Sequence, residues 1–410
     1  MKKIVLLILF ISNLSLFAQW VNTNGPKAGN VRAIISNGTN LFAGTEGGGV
    51  YLSTDNGTNW TTVNSGLTNL NVTSFAVSGN NIFAGTFGGV FLSTNNGTNW
   101  VAVNNGLSNP VILSLAISGT NIFAGANGIL GMSGLFLSTD NGSSWTVINN
   151  GLTDQVVRAI VINGSNIFVG TNGGVFLSTN NGTTWTAVNS GLTNTSIYAL
   201  AISGNNLFAA TNGGGVFKST NNGSSWAAVN SGLNTFALHS SFAVSGSNVF
   251  AGTMGAGIFL TSNQGTNWNA VNDGFTTSFH VWSLYASDSY LFVGTGVVFR
   301  RPLSELITSI ENNFDIPLEF NLSQNYPNPF NPSTKISWQS PVGGLTTLRI
   351  YDVLGNEVAT LVDEYKEAGN HEIIVDSRQL TRGNSIASGV YFYKLQVGEF
   401  VQTRKMILTK

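Results

Sequence analysis

STDNGTNW, at Ser53 to Trp60, recurs along the chain as STNNGTNW (93–100), STDNGSSW (138–145), STNNGTTW (178–185), STNNGSSW (219–226) and TSNQGTNW (261–268). The closing tryptophans, Trp60, Trp100, Trp145, Trp185, Trp226 and Trp268, are separated by 40, 45, 40, 41 and 42 residues. A fixed period of this size marks a repeat architecture. Each period holds four short runs rich in β-branched and aromatic residues; in the second they are VTSFAVSG, NIFAGT, GVFLST and NWVAVN. Four strands per period predict one propeller blade per repeat.

The ends of the array set the blade count. After the sixth string, VWSLYASD, YLFVGT and VVFRRPL supply three strands of a further unit but no fourth. QWVNTNG (19–25) matches NWTTVNSG (59–66), and Trp20 lies 40 residues before Trp60, in phase with the repeat. An N-terminal strand that completes the last blade closes the ring and removes exposed sheet edges. The expected fold is all-β, a seven-bladed β-propeller followed by a C-terminal Ig-like β-sandwich. An open solenoid is the alternative, and its terminal units would lack caps.

The string S-x-D/N-x-G-x-x-W resembles the Asp-box, or BNR repeat, of sialidases, sortilin-type receptors, xyloglucan-cleaving propellers and photosystem-assembly propellers. Its physical content is local. The Asx side chain (Asp55, Asn95, Asp140, Asn180, Asn221, Asn263) accepts backbone N–H bonds in a turn. The glycine (Gly57, Gly97, Gly142, Gly182, Gly223, Gly265) takes a positive φ, and the tryptophan buries between blades. A catalytic or calcium-binding reading would rest on Asp55 and Asp140, but asparagine fills that position in the other four strings. An amide does no general acid–base work and lacks the charge a hard cation favours. No metal or cofactor is expected.

A formal net charge of -1 offers no field for nucleic acid. With no cysteine, disulfides, thiolate metal sites and cysteine nucleophiles are excluded. Charged residues are sparse up to Leu303 and much denser from Ser304, which places a domain boundary there.

The resemblance implies that the box turns lie opposite the ligand mouth, so a site is sought on the other rim. At the start of the inner strand one aligned position reads Arg32, Thr73, Leu113, Arg158, Tyr198, Ser240 and Trp282, with His239 and His280 nearby. The adjoining loops carry Glu46, Phe87, Asp154, Met254 and Asp273. Variation on one rim is what a ligand surface shows, and also what an unconstrained surface shows. The candidate ligand-binding set is Arg32, Glu46, Arg158, Tyr198, His239, His280 and Trp282. A sialidase would need an arginine triad, and this rim offers two arginines. A glycoside hydrolase of the Asp-box propeller type would need two carboxylates among Glu46, Asp154 and Asp273. The long blade-3 loop carries Ile129, Leu130 and Met132, as a contact element or as a plug.

Lys2 and Lys3, the apolar run Ile4 to Phe17 and the small Ala18 predict a signal peptide over 1–18, with an uncleaved anchor as the alternative. The propeller is expected over 19–303, a linker over 304–319 and a tail domain over 320–410. In the tail, alternating apolar runs at 335–339, 347–353, 358–362, 371–376, 390–396 and 401–408 predict strands, after a stiff extended segment at Tyr326 to Pro332. YPNPFNPST, IYDVLGNEV, SGVYFYKL and the terminal KMILTK closely resemble the type A C-terminal sorting domain of the type IX secretion system. That resemblance implies export through the periplasm, recognition of the tail by the secretion machinery, and a secreted or cell-surface destination. The expected function is non-catalytic binding of a glycan or protein ligand, with the glycoside hydrolase as the alternative.

Overall fold

The computed structural model describes residues 19–107, 111–127, 134–233, 238–275, 279–311, 319–378 and 386–409. Residues 1–18, where a signal peptide is expected, and Ile129, Leu130 and Met132 lie outside the described residues. The chain divides into two compact units, Met1–Ile307 and Thr308–Lys410.

The first unit is a ring of seven four-stranded antiparallel sheets among the described residues. Blade 2 shows the pattern, with strands Val72–Ser78, Asn81–Thr86, Gly89–Ser93 and Val101–Ala102 paired in order from the inside out. Its second strand, NIFAGT, is buried at five successive positions because neighbouring blades cover both of its faces. This explains why that strand reads as a continuous apolar run without polar alternation. The last blade is built from both ends of the propeller: Ser283–Ala286, Tyr290–Gly294 and Val298–Pro302 are completed by Val21–Asn22, with Val21 opposite Arg300 and Asn22 opposite Phe299. The ring is closed by its N-terminal strand.

The seams between blades are made by the repeated string. In blade 1, Ser53 Oγ donates to Asp55 Oδ1 (2.8 Å) and accepts the Gly57 N–H (2.8 Å), while Asp55 Oδ1 accepts the Asn59 N–H (2.9 Å). With asparagine the geometry is the same: Asn95 Oδ1 accepts from Ser93 Oγ at 2.9 Å and from the Asn99 N–H at 3.0 Å. Gly97 is required twice over. Its φ is +78°, and a Cβ there would stand 3.0 Å from Phe42 of the preceding blade. Phe42 itself is fully buried, as are its counterparts Phe83 and Phe123.

Each tryptophan then ties its blade to the one before. The Nε1–H of Trp100 donates to Val63 O at 2.8 Å, and Trp145, Trp185, Trp226 and Trp268 repeat this bond to Val103, Ile148, Val188 and Val229. Trp20 does the same from the borrowed strand, donating to Val271 O at 2.8 Å and packing on Phe275. Trp60 is the exception: its partner is Thr23 Oγ1 at 3.1 Å, and Thr23 Oγ1 itself donates to Val298 O.

A linker was expected over 304–319, but the structure begins that stretch with a helix, Leu303–Glu311. Leu303, Leu306, Ile307 and Ile310 follow the i, i+3, i+4, i+7 spacing of an apolar stripe, and Leu303 and Leu306 are buried.

The second unit is a sandwich. One sheet runs Asn321–Leu322, Ser333–Ser340, Gly369–Asp376, and the other Glu357–Lys366, Gly344–Tyr351, Gly389–Val397, Phe400–Leu408. Both sheets feed one core, with Ile336, Trp338 and Val375 meeting Leu348, Tyr393 and Met406. The proline-rich lead-in is not extended along its length. It bends at 327–329 and again at 331–332, which brings Phe330 into the core through a parallel bridge to Leu408.

Candidate functional site

The rim position of the inner strand is a β-bulge. In blade 1 the register with the second strand shifts between Val31 and Ala33, so Arg32 is the extra residue; Thr73, Leu113, Tyr198 and Ser240 are its equivalents in blades 2, 3, 5 and 6. Bulges release a side chain from the alternation of the strand and re-aim it. Arg32, Thr73, Leu113 and Tyr198 reach the mouth of the ring in this way, and Arg158 and Trp282 reach it just ahead of the inner strands of blades 4 and 7.

These residues surround a cavity of about 600 Å3. Its charged lining among the described residues is Arg32, Glu46 and Arg158, with Tyr198, Trp282 and the exposed Phe87 alongside. Arg32 is fixed on two sides. Its Nε and Nη2 donate to Glu46 Oε2 at 3.1 and 2.8 Å, and its guanidinium stacks 4.0 Å above the Trp282 ring. Asn30 Nδ2 donates to the same oxygen at 3.1 Å. The Arg32 bond first, and the Asn30 bond second, hold the Glu46 carboxyl below its ordinary value.

Arg158 repeats the arrangement in blade 4 with a neutral partner. Its Nε donates to Asn172 Oδ1 at 3.3 Å and its guanidinium lies 4.7 Å from the Tyr198 ring centre. Glu46 and Asn172 occupy the same position of the repeat, fourteen residues after their arginines. Asn172 was absent from the candidate set, and comparing the two columns fourteen apart is the signal that finds it.

Two further layers line the cavity below the rim. The residue after each bulge is small, such as Ala33, Ser74 or Ser114, and the next is large and apolar, such as Ile34, Phe75 or Leu115. The small layer lets the inner strands touch across blades: Ser114 Oγ donates to Val157 O at 3.2 Å and Ser283 Oγ to Val31 O at 2.9 Å.

Five of the seven candidates, Arg32, Glu46, Arg158, Tyr198 and Trp282, are brought together on this wall. His280 is exposed beside it, its ring edge-on to Trp282 at 5.8 Å. His239 lies on the inner strand of blade 6, with its side chain outside the described residues. Asp154 and Asp273, carried by the adjoining loops, are not among the residues that line the cavity. Asp154 Oδ1 accepts the Val156 N–H at 3.0 Å, closing an Asx turn beside Gly173. Asp273 approaches Arg301 (3.7 Å), as does Glu305 (3.7 Å). Arg301 takes the place of the box serine in the last blade and is almost fully buried, and a buried cation draws carboxylates to it.

Among curated proteins none matches this sequence. Residues 18–155, 131–237 and 153–295 each match the DUF6242 beta propeller domain, and residues 324–409 match the secretion system C-terminal sorting domain. Solved structures share the fold at low identity. PorZ, an essential surface component of the type-IX secretion system of Porphyromonas gingivalis, is 16% identical with a TM-score of 0.53 over 94% of this chain and 60% of that one. YCF48 from Cyanidioschyzon merolae is 14% identical with a TM-score of 0.54, over 70% of this chain and 99% of that one. A GH74 xyloglucanase from Xanthomonas campestris is 15% identical with a TM-score of 0.53, over 78% of this chain and 59% of that one. The chain thus spans about three fifths of the length of PorZ and of the xyloglucanase. The sorting tail directs it to the cell surface or the extracellular space through the type IX machinery. Repeat, ring and tail together make the chain a member of the DUF6242 beta propeller family that carries a secretion system C-terminal sorting domain.

Proposed function

We propose that this exported propeller is a non-catalytic binding protein that takes a glycan or protein ligand at the mouth of its ring. The observation that carries this reading is the pre-set wall, where two arginines are each held against an aromatic ring and a polar partner. Side chains fixed before the ligand arrives lose little entropy on binding. A cavity of about 600 Å3 is within the usual range for small ligands and chain ends.

Hydrolysis is less well supported. A two-carboxylate glycosidase sets its pair ~5 to 9.5 Å apart across one bond. Glu46 is the one carboxylate of the described cavity lining, and its lowered pKa suits an ion-pair partner better than a general acid. The test is a glycan and protein binding screen of the mature chain, run beside Arg32→Ala and Arg158→Ala. Binding that falls about tenfold or more in the variants is expected, with no sugar release from xyloglucan or aryl glycosides. Hydrolysis that Glu46→Gln abolishes would overturn the proposal.

A further inference from the structure

The mouth is electrically lopsided. Arg32 gives its Nε and Nη2 to Glu46 and its face to Trp282, so its charge is matched in place. Arg158 stands three blades away and is not matched. Its Nε bonds a neutral amide, its face rests on Tyr198, and no described carboxylate lies within ion-pair distance. The two terminal nitrogens of Arg158 therefore have no partner among the described residues. A guanidinium held by one edge and one face presents its remaining fork in a fixed direction, the geometry that takes a carboxylate through two parallel bonds.

The large side chains deeper in the cavity are apolar. Phe75, Leu115, Ile160 and Leu200 form part of the deeper layer, and Phe87 adds an exposed ring at the rim. The hydroxyl layer between them is partly spent, since Ser114 and Ser283 already donate to backbone carbonyls. Ser74 and Ser241 keep the hydroxyls of that layer that have no partner. A ligand covered in hydroxyls would find few partners at this depth, and an unpaired polar group there is costly. An apolar body asks for no such partners and gains burial.

Resting on the reading of the mouth as a binding site, we propose that its ligand is a carboxylate carried on an apolar group, gripped by Arg158 with the apolar part in the cavity below. A free aliphatic or aromatic acid has this chemistry, and so does a polypeptide end whose last side chain is apolar.

The probes are 4-phenylbutyrate and 4-phenylbutyramide, titrated calorimetrically into the mature full-length chain. The acid is expected to bind roughly 10- to 100-fold tighter than the amide, the difference a charge-assisted pair of bonds makes. Arg158→Gln should erase that preference, bringing acid and amide to the same affinity. Arg158→Lys, which keeps the charge without the fork, should retain a part of it. Melting curves of both variants establish that the ring is intact. The proposal fails if acid and amide bind alike, if neither binds, or if Arg158→Gln keeps the preference. An acetylated tetrapeptide ending in phenylalanine, free or amidated at its C-terminus, separates the sources: tighter binding of the free peptide than of phenylbutyrate assigns a chain end, weaker binding a free acid. Should neither probe bind while a neutral glycan binds in a manner sensitive to Arg32→Ala, the carboxylate assignment falls and the mouth remains the binding site. Ligands indifferent to both arginines would remove the mouth itself.

Discussion

Asp55 and Asn95 accept the same turn bonds through one oxygen, so the box uses its Asx residue as an acceptor and not as a charge. The charge still has a thermodynamic signature. Bonds from the Asn59 backbone and side chain hold the Asp55 carboxyl at about 2, down from 3.8, and bonds from Ser144 lower Asp140 in the same direction. A depressed carboxyl stabilises the fold above its unfolded value, and that contribution is lost as pH falls through the folded one. The double variant Asp55→Asn, Asp140→Asn is expected to leave stability near neutral pH little changed and to reduce the fall in melting temperature between about pH 5 and about pH 2.5. Identical acid profiles for variant and parent would contradict this. The site was legible in the same kind of column comparison: Arg32 and Arg158 break a repeat that otherwise holds neutral residues, so they stand out in the text. The pairing of Arg158 with Asn172 was harder to read, because an asparagine in an asparagine-rich chain carries no contrast.

At the level of the element, the borrowed strand is only two residues long, yet Trp20 beside it is 7% exposed and joined to blade 6. Replacing it should be felt by the ring as a whole. Trp20→Ala is expected to cost ~3 to 5 kcal/mol in urea denaturation, the range for a buried aromatic truncated to alanine. Trp60→Ala, at a partly exposed ring bonded to a hydroxyl, should cost less. Equal losses would mean that closure adds nothing to seam packing. Elements were readable where their period was strong: six matching strings and an in-phase seventh tryptophan dictate seven sheets. The helix Leu303–Glu311 was less so, since nine residues between a strand and a charge-rich stretch satisfy a linker as well as a helix. Asp273 was misplaced because its neighbour Arg301 is distant in the repeat pattern and close only once the last blade is folded.

For the molecule as a whole, the two units divide the labour. The propeller carries the cavity, and the sandwich carries the residues matched to the sorting domain. Deletion of residues 320–410 is expected to leave the propeller in the periplasm, read by fractionation and surface labelling. Undiminished surface display of the shortened chain would count against the tail as the address.

The strand Val21–Asn22 also sets the topology of the chain. Six blades are contiguous in sequence and can close on loops of their own, whereas the seventh joins Val21 to Arg300 across nearly the whole propeller. The entropy of closing a loop grows only with the logarithm of its length, so a loop about seven times longer costs about 2 kcal/mol more. One buried tryptophan, at ~3 to 5 kcal/mol, exceeds that sum. The burial of Trp20 therefore outweighs the extra length of the loop that the seventh blade has to close.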